Sequence, residues 1–104
     1  MRVLVTGAAG FVGQHLLAHL KAHGYEGIPA EAPGRGAEGM REVDVRDREG
    51  LDAAIRELRP DGCIHLAALA FVPRTWEQPG TAFEVNVVGT MNLLASLRDY
   101  VPGC

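Results

Sequence analysis

The octapeptide Thr6-Gly7-Ala8-Ala9-Gly10-Phe11-Val12-Gly13 constrains this chain more than any other stretch of it. Before it stands Arg2-Val3-Leu4-Val5-Thr6, β-branched and apolar without alternation, the pattern of a strand covered on both faces of a parallel sheet. After it the apolar spacing changes to Val12, Leu16, Leu17 and Leu20, a helical stripe over Phe11 to His23 that Gly24 ends at the position of a left-handed cap. Three glycines at three-residue spacing, placed between a buried strand and a helix, have mechanical uses. Gly7 permits a sharp turn, Gly10 leaves the backbone open to a pyrophosphate, and Gly13 lets the helix lie close to the sheet. The unpaired N–H groups and positive dipole end of the helix then face an anion.

The rest of the chain extends this pattern. Tyr25 to Ala30 reads as a second strand weakened by Gly27 and Pro29, and residues 31–40, with Pro33, Gly34, Gly36 and Gly39, as an exposed loop. Glu42 to Val45 reads as a short third strand. Asp47 is placed to cap a helix with Leu51, Ile55 and Leu58 on its core face, which Pro60 stops. Cys63 to Ala67 reads as a fourth buried strand, and Thr81-x-x-Glu84 as a capping box for a helix reaching Tyr100. Apolar residues nearly encircle that last helix, so a second surface is expected to pack on it, and a homodimer through residues 81–100 is the expected form. At 104 residues, 47% of them apolar, the chain is expected to form one domain, 1–104, with four parallel strands in the order 3-2-1-4 and right-handed crossovers. This is a three-layer Rossmann-like α/β sandwich.

Charge and hydropathy exclude several classes of function. The net charge of −3 argues against a nucleic-acid surface. The longest apolar stretch, Ile64 to Val72, is broken by His65 and falls short of the roughly 20 residues needed to span a membrane. The start lacks the apolar region of a secretory signal, and Cys63 and Cys104 have no framework spacing, so a reducing cytoplasmic setting is expected. No G-x-x-x-x-G-K-[ST] occurs, and the only lysine is Lys21, inside the first helix, which excludes a P-loop. His15, His19 and His23 share one strip of that helix, but no cysteine or carboxylate nearby in sequence completes a metal site. His65 reads as a core histidine.

Glu31, 18 residues beyond Gly13, stands near the offset at which a carboxylate meets the adenosine ribose hydroxyls, which favours NAD. Arg35 on the following loop leaves NADP open, and an ordinary solvated carboxylate is the bland alternative for Glu31.

Four segments in order then resemble the extended short-chain dehydrogenase/reductases that act on nucleotide sugars, the NAD-dependent epimerase/dehydratase family. They are the glycine motif, Asp44-Val45-Arg46-Asp47, His65-Leu66-Ala67-Ala68, and Asn86-Val87-Val88-Gly89-Thr90-Met91-Asn92-Leu93-Leu94. Arg74-Thr75-Trp76-Glu77-Gln78-Pro79 is most similar to the GDP-mannose 4,6-dehydratase and GDP-4-keto-6-deoxymannose reductase branch. The resemblance implies a dinucleotide with its pyrophosphate on Gly7, Ala9, Gly10, Phe11 and Val12 and its ribose on Glu31. It implies the adenine at Asp44 and Val45, and the nicotinamide half along Leu66, Ala67 and Ala68. Asn86 is expected to be structural, its buried carboxamide bonding the backbone of the neighbouring strand.

The family's chemistry uses a Tyr-x-x-x-Lys pair. Here Pro29 and Cys104 stand four residues after Tyr25 and Tyr100. No catalytic residue is therefore assigned, and the chain reads as the amino-terminal cofactor half of such an enzyme, cut before a fifth strand and inactive alone. A non-catalytic NAD(P)-binding sensor is the alternative.

Overall fold

The computed structural model describes residues 1–104. Four parallel strands, β1 (Arg2–Thr6), β2 (Glu26–Glu31), β3 (Arg41–Glu42) and β4 (Gly62–His65), form one sheet in the order β3-β2-β1-β4. The helices are α1 (Phe11–Ala22), α2 (Arg48–Leu58), α3 (Val72–Glu77), α4 (Pro79–Phe83) and α5 (Gly89–Tyr100), with a π-helical turn, Glu84–Val88, joining α4 to α5. The Rossmann-like order expected from the sequence is the one observed.

Two apolar clusters hold the layers together. Leu4, Ile28, Leu51, Ile55 and Leu93 lie on one side of the sheet, joining it to α2 and α5; Val3, Val5, Ala8 and Leu20 gather on the α1 side. β1 contributes to both, which explains its unbroken apolar run.

Pro29 sits in β2 without a lost bond to β1. The bonds Glu26 N–H to Met1 O (3.0 Å) and Ala8 N–H to Ala30 O (3.1 Å) show that the even-numbered residues of β2 face β1. The missing donor of Pro29 therefore points to the flank where β3 supplies only Arg41 and Glu42. At the end of α1, Gly24 has φ +80°, with Tyr25 N–H on Leu20 O (2.9 Å) and Gly24 N–H on Lys21 O (3.2 Å), the paired bonds of a Schellman cap. Asp47 caps α2 as expected, its carboxylate accepting from Gly50 N–H at 3.2 Å.

Three expectations need correction. β3 is Arg41–Glu42 rather than Glu42 to Val45: the chain leaves the ladder after Val43 N–H bonds Glu31 O (2.8 Å), and Asp44 then accepts from Arg46 N–H in a local turn. Thr81 and Glu84 form no capping box, because helix already begins at Pro79, whose ring pre-sets the first-turn φ. β4 ends at His65: Leu66 N–H is shared between Thr6 O and the Thr6 hydroxyl, and Ala67 N–H turns to that hydroxyl alone. The short helix α3 was not foreseen. No helix is long and apolar enough to cross a membrane.

Candidate dinucleotide site

Beyond the carboxyl ends of the strands lies a cleft of about 810 Å³, within the range of small-molecule sites. Its floor is the glycine turn. Gly7 has φ +67°, and a Cβ there would stand 2.8 Å from both Ala67 N and Leu66 C. The turn thus rests directly on the peptide that follows β4. Gly13 is buried in the first turn of α1, where a Cβ would fall 2.7 Å from Ala8 Cα, so this glycine sets how closely helix and turn pack. Gly10 differs from both. A Cβ there would meet only Gly7 O, at 3.4 Å, leaving the space above it free for a ligand.

Gly10 is also the N-cap of α1, and it has no side chain to satisfy the helix. The first bond of the helical ladder is Gln14 N–H to Gly10 O (3.1 Å), which leaves the Phe11, Val12 and Gly13 amides without helical partners. No acidic side chain occupies the first turn. The positive end of the helix dipole is therefore free for an anion from outside. The side chains of Phe11 and Val12 are exposed, so these residues would act through their backbones.

Glu31 ends β2 at the cleft wall. Its carboxylate accepts from Ala9 N–H (3.1 Å) and from Ala32 N–H (2.9 Å), tying the strand end to the glycine turn. The structure thus brings Glu31 and Ala9 together and gives the carboxylate a fixed place. Asp44 and Val45 line a second wall. Two bonds of about 3.1 Å from Arg46 hold Asp44, and that guanidinium keeps its carboxyl below the usual range. Leu66, Ala67 and Ala68 form the opposite wall. Of the residues the sequence assigns to the dinucleotide, all but Phe11, Val12 and Gly13 line this one cleft.

Both walls are pinned by the helical run that ends in α5. Asn86, in the π turn, clamps Leu69: its Oδ1 accepts from Leu69 N–H (2.7 Å) and its Nδ2 donates to Leu69 O (3.1 Å). Asn92 Nδ2 donates to Val45 O (2.9 Å), and a Cβ on Gly89 would lie 2.4 Å from Val45 Cγ2. The expected backbone bond of Asn86 is present, but Asn86 is exposed rather than buried, and its partner Leu69 lies beyond the end of β4 rather than in a strand. Thr6 escaped sequence reasoning because it reads as the last residue of a strand. Its hydroxyl accepts from Leu66 N–H (3.0 Å) and Ala67 N–H (3.1 Å) and contacts His65 Nδ1 at 2.6 Å. Arg46, Arg74 and Gln78 also reach the cleft, and nothing in the local sequence pattern of Arg74 or Gln78 announced it.

On α1 the strip of histidines is otherwise engaged. The His19 and His23 rings lie 4.2 Å apart, His23 Nδ1 donates to His19 O, and His15 packs edge-on against Phe11. No three metal-ligating side chains gather anywhere in the chain.

The model of the NAD dependent epimerase/dehydratase family matches residues 3–103. The chain belongs to this family. A GDP-6-deoxy-D-mannose reductase of Pseudomonas aeruginosa is 36% identical over 93% of the chain, and a dTDP-glucose 4,6-dehydratase of Neisseria meningitidis is 31% identical over 95%. These alignments cover 29% and 32% of the two relatives. Among solved structures, a UDP-glucose 4-epimerase of Thermus thermophilus in complex with NAD superposes with a TM-score of 0.83 at 42% identity, covering 96% of this chain and 34% of that one. The chain thus spans about a third of the length of the relatives it matches. A reductase, a dehydratase and an epimerase match at comparable identity. The comparisons therefore mark the epimerase/dehydratase family and leave the choice of reaction open.

Proposed function

We propose that this chain binds NAD in preference to NADP, and that it does so for an enzyme that epimerises, dehydrates or reduces a nucleotide-linked sugar. One observation carries the reading: the glycine turn that ends in the bare Gly10, N-cap of a helix whose first turn carries no acidic side chain, lines a cleft. The walls of that cleft carry Glu31, Asp44–Val45 and Leu66–Ala68. The NAD in the Thermus thermophilus relative supports the same choice of ligand.

In this reading the Phe11 and Val12 amides receive the pyrophosphate, which lies across Gly7, Ala9 and Gly10, the last two with N–H groups engaged by Glu31 and Gly7 O, and Gly13 holds the helix against the turn. Glu31, kept in place by Ala32 N–H, offers a carboxylate oxygen to the adenosine ribose beside the Ala9 amide. That negative charge opposes a 2′-phosphate, and Arg35 on the cleft rim is the group that would soften the opposition. Asp44 and Val45 border the adenine, and Leu66, Ala67 and Ala68 exclude water along the nicotinamide half. The bound dinucleotide supplies hydride exchange with a sugar carbon. The chain has no Tyr-x-x-x-Lys, so proton transfer at the sugar belongs to residues other than these, and these residues do not catalyse alone. A cytoplasmic setting belongs to the same proposal, supported by the free thiols of Cys63 and Cys104. So does a homodimer through residues 81–100, whose Phe83, Met91 and Leu94 are exposed.

Titration of the chain with NADH and NADPH, followed by fluorescence, tests the reading. NADH is expected to bind more tightly, and Gly10→Leu to abolish binding of both without unfolding the chain. Unchanged affinity in Gly10→Leu would overturn the site, and tighter NADPH binding would overturn the role of Glu31.

A further inference from the structure

Beneath the cleft a line of hydrogen bonds crosses three elements. The Thr6 hydroxyl has one proton and two lone pairs. The oxygen accepts from Ala67 N–H (3.1 Å) and shares Leu66 N–H (3.0 Å) with Thr6 O (3.2 Å), and the one neighbour left to take the hydroxyl proton is His65 Nδ1, at 2.6 Å. Nδ1 is then an acceptor, and a neutral imidazole with a bare Nδ1 carries its proton on Nε2. Nε2 faces Thr90 Oγ1 at 3.1 Å, and Thr90 in turn donates to Asn86 O at 2.8 Å. Every donor finds an acceptor in this arrangement, Leu66 N–H being shared between the Thr6 hydroxyl and the Thr6 carbonyl. His65 thereby connects the end of β1, the end of β4 and the first turn of α5.

We propose that His65 is a positioning residue of the dinucleotide site, which as the neutral Nε2–H tautomer locks the Leu66–Ala67 peptide under the glycine turn, and that protonation of its ring loosens that site. The inference rests on the dinucleotide reading above. A second ring proton would place N–H on Nδ1, which would displace the shared Leu66 N–H from Thr6 Oγ1 and leave the hydroxyl's own buried proton without an acceptor. Because Gly7 stands on Leu66 and Ala67 with no room for a single added carbon, any movement of that peptide reaches the turn.

No charge nearby compensates a protonated ring. Of the charged groups on the elements around it, Arg2 of β1 bonds Glu26 and the Leu58 carbonyl, and Glu84 of the π turn faces Arg46 at 4.0 Å. Arg98 and Asp99 of α5 pair with each other, and Asp99 also with Arg48. The other ionisable group of β4, Cys63, is a half-buried thiol pushed up to about 12 by desolvation, and it stays neutral. Burial alone lowers the His65 pKa, which agrees with a ring held neutral.

The test is calorimetric titration of the chain with NAD between about pH 8 and pH 5, in parallel with His65→Gln and His65→Asn. For the native chain, affinity is expected to be constant at the upper end and to weaken on acidification, by at most about tenfold per pH unit for one linked proton. In both variants this acid-dependent loss should be absent. A nitrogen-15 NMR spectrum of the native histidine rings at neutral pH supplies a second readout that needs no variant to fold. It is expected to show one ring, missing from the variants that do fold, protonated at Nε2 and bare at Nδ1. The same acid loss in native and variant chains, or an Nδ1–H ring at His65, would overturn the proposal. Absence of NAD binding at about pH 8 would instead sink the dinucleotide reading itself, a result distinguishable from affinity that is present and independent of pH.

Discussion

The three motif glycines are alike in the sequence and unlike in their surroundings. Gly7→Ala forces a Cβ against the Leu66–Ala67 backbone at a positive φ, so a stability loss of about 1–3 kcal/mol is expected in urea unfolding. Gly10→Leu should leave the unfolding midpoint nearly unchanged while removing dinucleotide affinity, because only the helix mouth is filled. Spacing announced that these glycines matter. It did not separate the glycine required by packing from the one required by a ligand, because that difference depends on Ala67, sixty residues away along the chain. Glu31 was legible as an acidic side chain at the right offset, whereas its bond to Ala9 N–H was not, since it depends on how β2 and the glycine turn meet.

Local signals located the elements well wherever a cap or a strong apolar stripe was present. Asp47 is the clearest case. It stands before an apolar stripe and accepts from Gly50 N–H; Asp47→Ala is expected to cost about 1 kcal/mol, read from chemical unfolding. Thr81 and Glu84 carry the same kind of signal and form no cap, because Pro79 starts helix a turn earlier and the π turn then resets the phase of the run. A pattern matched over four residues contains no record of the helix already under way. Across elements, Gly89 is the point where α5 meets the wall formed by Val45. Gly89→Ala drives a carbon into Val45 Cγ2, so a loss of about 1–3 kcal/mol is expected together with weaker dinucleotide binding, measured on the same sample by unfolding and titration. β3 was misplaced by the sequence because the Val43 and Val45 alternation mimics a strand, while Asp44 folds back to bind Arg46.

For the molecule as a whole, acid acts in two steps. His65 has a folded pKa below its ordinary value of 6.5, so the unfolded chain binds this proton more readily. The stability contribution is complete above that value and is lost as pH falls from 6.5 through the lower folded pKa. Asp44, Asp52 and Asp99 are likewise held below 3.8, chiefly by bonds to Arg46, Arg48 and Arg98, and their contribution disappears only in stronger acid. Urea midpoints measured across pH are expected to fall in both ranges, with His65→Gln erasing the first fall and leaving the second. The strand order was readable in advance because each element carried its own signal and right-handed crossovers leave little choice. The hydrogen-bond lines that join β1, β4 and α5 were not, since they require three distant segments in register.

The sheet has two dissimilar borders. On the β3 side it closes with two residues, whereas β4 presents one whole side to no neighbouring strand. Leu66 N–H points to Thr6 O, and the alternation of a parallel strand turns the amides of Cys63 and His65 the other way. In deuterium oxide these two amide hydrogens should be replaced much sooner than that of Ile64 between them, giving a fast-slow-fast signature within three consecutive residues.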